Sequence, residues 1–238
     1  MRRLIARRVS EILRAASSPN QGLSPDVARV LQHVEAMMEA CELKPGERLI
    51  EADLAAQLSV GRGRVREALR ILAGQGAVEL RANQGARLRA LSPDELASIF
   101  EAGAGLYIVA YTGFLRRYSD LPQAAFEDVA FCWDKISDAW LEETPFLRKV
   151  KYLRLLSNYL LVISYYSGNA YLNRLHYNLN YTLDSMELAK LLDEGFIQLM
   201  NNAYKEVHSE LMTGSEKAVA LFGDMAQIIV THLRTISR

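Results

Sequence analysis

The feature that most constrains the fold is a change of hydrophobic period near residue 77. Before that point, apolar side chains recur every three or four positions, which is typical of helices packed through one face. After it, residues 77–81 and 86–89 alternate between apolar and polar side chains, and the turn Asn83-Gln84-Gly85 separates them. The pattern therefore predicts helices that are followed by a two-stranded hairpin.

Three helices are predicted before this hairpin. Ser24 and Pro25 are typical of the cap and first position of the earliest one. The others are predicted at Glu51–Leu58 and from Arg62 to about Ala73. Three helices and a hairpin within about 65 residues predict a winged helix-turn-helix. A separate amphipathic helix is predicted at residues 3–16, with an apolar side formed by Leu4, Ile5, Val9, Ile12 and Leu13.

A capping box, Ser92-Pro93-Asp94-Glu95, marks the next boundary, and only helical patterns follow it. The predicted fold class is mostly α: an N-terminal winged helix-turn-helix followed by an all-α bundle of six to seven helices. The predicted domains are residues 1–22 (helix and linker), 23–90 (winged helix) and 91–238 (bundle). The predicted bundle helices are 94–118, 123–141, 145–166, 169–187, 189–213 and 215–236.

Charge is distributed unevenly along a chain that is neutral overall. Residues 1–90 hold 15 Lys and Arg against 10 Asp and Glu, whereas residues 91–238 hold 13 against 18. A basic part joined to an acidic part indicates a polyanion-binding module attached to another domain.

Three arginines fall at the start of the third predicted helix, namely Arg62, Arg64 and Arg66. A recognition helix contacts base edges through its N-terminal residues, and arginine binds guanine O6 and N7 through two hydrogen bonds. We therefore expect these arginines to contact double-stranded DNA. The residues at the tip of the hairpin, Gln84 and Gly85, are expected to contact DNA as well.

Several classes of protein are disfavoured by what the sequence lacks. Cys41 and Cys132 provide neither a disulfide framework nor a zinc cluster, and a reducing cytoplasm is the expected compartment. The sequence has no uninterrupted run of about 20 apolar residues, so no membrane span is predicted. Because no phosphate loop, nucleophile elbow or metalloprotease motif is present, we expect the protein not to be an enzyme.

Residues 24–90 resemble the DNA-binding domain of GntR-type bacterial transcription regulators. The similarity is carried by the sequence from Leu43 to Ala55 and by Val60-Gly61-Arg62-Gly63-Arg64-Val65-Arg66-Glu67-Ala68-Leu69. It implies that Arg62 and Arg66 contact DNA. The family usually has serine and proline where this chain has Gly61 and Arg64. We expect Gly61 to weaken the helix start by up to about 1 kcal/mol, and Arg64 to alter the preferred operator.

Residues 91–238 resemble the fatty-acid-regulator (FCD-like) type of effector domain within that family, on the basis of Ser167-Gly168-Asn169 and a long final helix. That type usually binds a metal through an Asp and a His, whose positions fall on Leu156 and Leu160. The positions of two further histidines fall near Tyr204 and near Ala226 or Gln227. The usual ligand set is therefore missing, and we expect neither a metal nor another cofactor.

The bundle is expected instead to hold a small organic effector in a pocket of apolar and phenolic side chains. The candidate lining residues are Tyr107, Leu156, Leu160 and Tyr204. Because one recognition helix covers only a few base pairs, we also expect a homodimer on a palindromic operator. Taken together, these expectations describe a cytoplasmic transcriptional repressor.

Two alternatives stay open. The first is a metal-dependent sensor or enzyme-like helical domain with an accessory DNA-binding module, in which a shifted metal site would use His208 or His232. A cluster of titratable side chains in the bundle would favour it. The second is a constitutive DNA-binding dimer without an effector, whose bundle serves only for dimerisation.

Overall fold

A computed structural model describes residues 1–17, 22–81, 85–172, 174–176 and 185–236. The chain divides into two compact units. One is Pro19–Leu91, and the other combines Met1–Ser18 with Ser92–Arg238. The first unit is a winged helix and the second is helical, so the predicted fold class is confirmed.

The regular elements are numbered here in chain order. The helices are α1 (Arg2–Ser17), α2 (Pro25–Glu39), α3 (Glu51–Leu58), α4 (Arg62–Gly74), α5 (Pro93–Arg116), α6 (Gln123–Ile136), α7 (Pro145–Tyr166), α8 (Ser185–Leu191), α9 (Glu194–Met212) and α10 (Lys217–Ile236). The strands are β1 (Arg48–Leu49), β2 (Val78–Arg81) and β3 (Gly85–Leu88).

The winged-helix unit packs α4 against α2, α3 and β2. Its sheet is antiparallel in the order β1-β3-β2, so it has three strands rather than the predicted two. In β1, Arg48 pairs with Arg87 and Leu49 with Ala86. The sequence did not reveal β1 because a strand of two residues is too short to display an alternating pattern. It forms because Gly46, at φ +82°, turns the chain back along β3.

The helical unit begins at the predicted capping box. The Glu95 amide donates to the Ser92 side chain, and the Glu95 carboxylate accepts a 2.9 Å hydrogen bond from the Ser92 amide. Helix α5 packs mainly against α10 and also against α7, α6 packs against α7, and α9 packs against α10.

Two predicted helix boundaries in this unit were wrong. Helix α6 ends at Ile136, and a 3-10 turn spans Ser137–Leu141, where one helix was predicted through 141. Helix α9 begins at Glu194 rather than at 189, because Asp193 caps it: the Phe196 amide donates to the Asp193 carboxylate at 2.7 Å. A separate helix, α8, precedes it. Part of the predicted 169–187 helix lies outside the described residues.

Helix α1 packs on α6 and α7, within the unit that follows the winged helix along the chain. Its buried side holds Ile5, Val9 and Ile12, whereas Leu4, expected on that side, is 65% exposed. An ion pair fixes the helix: Arg8 Nε lies 2.8 Å from both carboxylate oxygens of Asp128, which is fully buried. The Tyr166 hydroxyl also donates to Asp128, at 2.6 Å.

One described helix, α5, is long and apolar enough to cross a membrane, judged by length and composition alone. Charged side chains interrupt its sequence, which is why no span was predicted. Only a third of its most apolar stretch is buried. Val109 is 49% exposed on its outer side, next to small residues such as Gly105. An apolar strip of α5 therefore lacks a partner among the described residues of this chain.

We predict that Arg8→Met lowers the free energy of unfolding by about 3 kcal/mol, because it leaves the buried Asp128 carboxylate without its cation. Arg7→Met is the matched control. Arg7 is 80% exposed and pairs with Glu11 on the surface, so its loss should cost under about 0.5 kcal/mol. Urea unfolding of the full chain measures both changes. Equal effects of the two substitutions would contradict the anchoring role of Arg8.

Candidate functional site

Helix α4 presents an arginine stripe on its exposed side. Its buried side is formed by Val65, Ala68, Leu69 and Leu72. Arg62, Arg66 and Arg70 follow one another at four-residue spacing along the helix, and all three are exposed. We call these three residues the arginine stripe. Arg70 was missed in the sequence analysis, although the four-residue spacing from Arg66 was there to identify it.

The start of α4 lacks a side-chain cap, as expected for Gly61. Arg64 lies on the helix but outside the arginine stripe. Its guanidinium group pairs with Glu67 at 3.0 Å on the surface. Of the three predicted arginines, the structure therefore places Arg62 and Arg66 on one line and Arg64 beside it.

Helix α3 positions Arg66 through Glu51. The guanidinium group binds the carboxylate at two points, with Nη2–Oε2 and Nε–Oε1 distances of 2.7 and 3.1 Å. Hydrogen bonding to Arg66 lowers the pKa of Glu51, and the charges of Arg62 and Arg70 lower it further. The carboxylate thus holds Arg66 in one orientation and partly neutralises the stripe. Sequence reasoning missed Glu51 because its partner lies 15 positions away.

The hairpin formed by β2 and β3 is the wing. Gly85 is exposed with φ +80°, a conformation that favours glycine. Gln84, the other predicted wing contact, lies outside the described residues. Arg81 pairs with Glu79 at 3.0 Å. Arg87 donates to the Gly46 carbonyl at 3.0 Å and so serves the fold of the sheet.

Five of the tyrosines that the structure describes are buried inside the helical unit, and we call them the phenol cluster: Tyr107, Tyr111, Tyr152, Tyr159 and Tyr204. They come from α5, α7 and α9, and each is at most 5% exposed. Burial raises the pKa of all five phenols. The Phe222 ring on α10 lies 5.0–6.1 Å, between centroids, from the rings of three members of the cluster.

His176 joins this interior from a short helical segment. Its ring nitrogens lie 3.3 Å from the Tyr107 hydroxyl and 3.2 Å from the Ser164 hydroxyl. Burial lowers the pKa of His176 to about 3, while a backbone hydrogen bond at Ser157 opposes that shift. The imidazole is therefore neutral at physiological pH, and it connects α5 with α7.

The other two histidines of the bundle serve packing contacts. His208 stacks on Trp133 at 4.8 Å between centroids, and its Nδ1 lies 3.1 Å from the Tyr159 hydroxyl. Burial lowers the pKa of His208 to about 4. His232 stacks on Phe196 at 3.9 Å. Within the described ranges, no three His, Cys, Asp or Glu side chains come close enough together to hold a metal ion.

The four predicted pocket residues are all buried. Leu156 and Leu160 lie one turn apart on α7, at 4% and 5% exposure. Tyr107 and Tyr204 face the Phe222 ring from α5 and α9. Tyr111, Tyr152 and Tyr159 belong to the same interior but were not singled out. The sequence did offer a signal for them, because Tyr111 lies one helical turn from Tyr107, and Tyr152 and Tyr159 each lie one turn from Leu156.

An open groove of about 500 Å³ lies elsewhere on the helical unit, between α5 and the Ser167-Gly168-Asn169 turn. The two elements approach closely at Gly113, where an added Cβ atom would lie only 3.0 Å from Ser167. Arg117 donates to the Tyr166 carbonyl at 3.0 Å beside this turn. The Ser167-Gly168-Asn169 turn, which carries the resemblance to the effector domain, therefore joins the end of α7 to α5.

These geometries define a two-unit protein with a winged-helix domain and a helical domain. Residues 27–88 match the family model described as bacterial regulatory proteins, gntR family. Over these residues, the chain is similar to the DNA-binding domain of the gntR family.

A curated relative and two solved structures are similar to the chain. The Nta operon transcriptional regulator of Aminobacter aminovorans is 36% identical over 92 residues, which are 39% of this chain and 44% of the relative. The structure of McbR/YncC from E. coli has a TM-score of 0.70 and covers 90% of this chain and 99% of its own, at 17% identity.

A structure of a GntR transcriptional regulator from Rhodococcus sp. RHA1 has a TM-score of 0.76 at 17% identity and covers 90% of this chain and 100% of its own. The two structural likenesses extend over the helical unit as well as the winged helix, and they establish the fold.

We predict that acid destabilises the protein through His176. Between its folded pKa of about 3 and its ordinary value of 6.5, the unfolded chain binds the proton and the native state does not. Stability is therefore lost as the pH falls through this window, by about 2 kcal/mol between pH 7 and pH 5 for this histidine. The stability gap between the wild type and His176→Gln should shrink by that amount in urea unfolding. A gap independent of pH would contradict the buried neutral state.

Proposed function

We propose that the protein is a cytoplasmic transcriptional repressor. On this proposal it binds operator DNA as a homodimer through α4 and the wing, and its helical domain binds a small organic effector. The observation that carries the proposal is the arginine stripe of α4, exposed within a domain of the gntR family. Three cations along one side of a helix match the phosphates and guanine edges of a major groove.

The helical domain supports the second half of the proposal by its interior. Five buried phenols on three helices line a region that the resemblance to the fatty-acid-regulator type identifies as the effector site. An effector that binds the DNA-free protein more tightly lowers operator affinity, and DNA lowers effector affinity by the same factor. Repression relieved by a ligand requires nothing more than this linkage.

Dimerisation is proposed to use the helical domain. The exposed apolar strip of α5, around Val109 and Gly105, is the observation that supports it. A second copy of the same strip would cover it through a two-fold axis, as in most homodimers. Two recognition helices would then contact two half-sites, which gives the contact area that one helix lacks.

We predict that Arg62→Ala and Arg66→Ala each weaken operator binding by about 1–3 kcal/mol, which corresponds to roughly 5-fold to 150-fold. Fluorescence anisotropy with an operator selected from genomic fragments measures the change. Arg7→Ala is the control, because Arg7 is an exposed arginine on α1 in the helical unit. Wild-type affinity in both stripe variants would refute the assignment of α4 as the recognition helix.

We predict a dimer mass, twice 26.7 kDa, for the full chain in light scattering at micromolar concentration. Val109→Glu should shift the mass toward the monomer, because it places two unpaired charges in the proposed apolar interface. Leu199→Glu is the matched control, since Leu199 is 53% exposed on α9, away from this strip. A monomeric wild type, or a Val109→Glu variant that stays dimeric, would rule out this interface.

A further inference from the structure

Most of the surplus positive charge of the N-terminal part of the chain lies in α1 rather than in the winged helix. Residues 2–17, which form α1, contain five arginines and one glutamate, whereas residues 18–90 contain ten basic and nine acidic residues. The winged helix is therefore almost neutral, although affinity for DNA depends on cations that neutralise phosphates. The basic surplus that indicates a polyanion-binding module is carried by the helix that precedes this domain.

Ion pairs within the winged helix reduce its free charge further. Four of its arginines pair with a carboxylate of the same domain, at N–O distances of 3.0 Å or less: Arg29, Arg64, Arg66 and Arg81. The carboxylates of this domain thus offset much of the charge that phosphates would attract. Additional phosphate contacts would have to come from another part of the chain.

Helix α1 presents two unpaired arginines on the side that faces away from the helices it packs on. Its buried side holds Ile5, Val9 and Ile12, and it packs on α6 and α7. At about 100° per residue, Arg3 and Arg14 point within about 20° of each other, on the side opposite to Ile5 and Ile12. Both arginines are exposed, and neither pairs with a carboxylate among the described residues. We call Arg3 and Arg14 the free arginines of α1.

The spacing of the free arginines suits a phosphate backbone. They are eleven positions apart, which corresponds to about 17 Å along a helix axis and to about five base pairs of duplex. Arg7 lies between them, but its ion pair with Glu11 offsets its charge. Seven residues, 18–24, join α1 to α2. Because an extended chain from Ser17 to Pro25 spans at most about 29 Å, this linker allows α1 and the winged helix to contact one duplex.

A membrane surface suits α1 less well than DNA does. Basic amphipathic helices that bind membranes insert their apolar side among the lipid headgroups. In this protein that side is already packed on α6 and α7, and Arg8 is held at 2.8 Å by the buried Asp128 carboxylate. The accessible side of α1 is mostly polar and cationic, which suits rows of phosphates.

We propose that α1 is a second DNA-contacting element, in which Arg3 and Arg14 bind phosphates of the duplex that α4 contacts. The proposal rests on the proposed function, because it requires that the winged helix binds DNA. Each arginine releases about one counterion and adds affinity for any sequence, whereas α4 supplies the discrimination between sequences. Since the Arg8–Asp128 pair fixes α1 to the helical domain, these contacts also connect that domain to the operator.

The test compares the wild type with the double variant Arg3→Gln/Arg14→Gln on two duplexes, the selected operator and a scrambled duplex of equal length. Fluorescence anisotropy gives the affinity at salt concentrations from about 50 to 200 mM. In the variant, the slope of log affinity against log salt should become shallower by about 2 per protomer. Affinity for both duplexes should fall by the same factor, roughly tenfold or more at about 100 mM salt. Unchanged affinity and slope would overturn the proposal, and so would a loss confined to the operator.

Lys205→Gln/Lys217→Gln is the matched control, because it removes two exposed cations from α9 and α10 and leaves α1 intact. It should leave the affinity and the salt slope unchanged. A loss equal to that of the α1 variant would reduce the effect to overall charge and would overturn the proposal. Because the free arginines are exposed and unpaired among the described residues, the α1 variant should keep the wild-type Tm. Each single variant, Arg3→Gln or Arg14→Gln, should change the slope by about 1.

Sedimentation with phosphatidylserine vesicles distinguishes DNA from an anionic membrane. The wild type should stay in the supernatant. Vesicle binding that is lost in the α1 variant, while its DNA affinity is unchanged, would assign the free arginines to a lipid surface and overturn the proposal.

The same titrations separate this proposal from the proposed function. If the wild type binds both duplexes equally and the α1 variant has a shallower salt slope, the regulatory function fails while the DNA contact of α1 stands. If the wild type prefers the operator and the α1 variant behaves like it, the proposal for α1 fails alone. If the wild type binds neither duplex, both fail.

Discussion

Burial of one face of α4 is the interaction on which the DNA-binding half of the molecule depends. Val65, Leu69 and Leu72 are at most 1% exposed, and burying side chains of this kind contributes about 1.5–3 kcal/mol each. Because a helix has 3.6 residues per turn, fixing this face inward leaves positions 62, 66 and 70 outward. The apolar core therefore determines which arginines can reach a ligand.

Much of the fold could be predicted from the sequence because many of its signals are local. Ser24 and the box at Ser92 are caps, and each acts within four residues of chain. The start of α9 was misplaced because Asp193 was not recognised as its cap. Strand β1 and the pair formed by Glu51 and Arg66 were missed for another reason: they depend on contacts between distant segments, which periodicity does not encode.

In the interior of the helical domain, too, contacts between distant segments could not be predicted from the sequence. Counting from Asn169 predicted that leucines occupy the usual metal-ligand positions, and the structure buries both Leu156 and Leu160. The sequence could not show that Tyr107 would meet His176, or that Tyr159 would meet His208, because these hydrogen bonds join side chains from different helices.

Selection of random double-stranded DNA by the full chain tests the central claim most directly. The account predicts enrichment of a two-fold symmetric motif, in which two half-sites are separated by about one helical turn, 10–10.5 base pairs. Selection with the Arg62→Ala variant should lose that motif while retaining weak, salt-sensitive binding to all sequences. A wild-type pool with no enriched sequence would contradict the account, because an arginine stripe that binds only phosphates does not make a sequence-specific regulator.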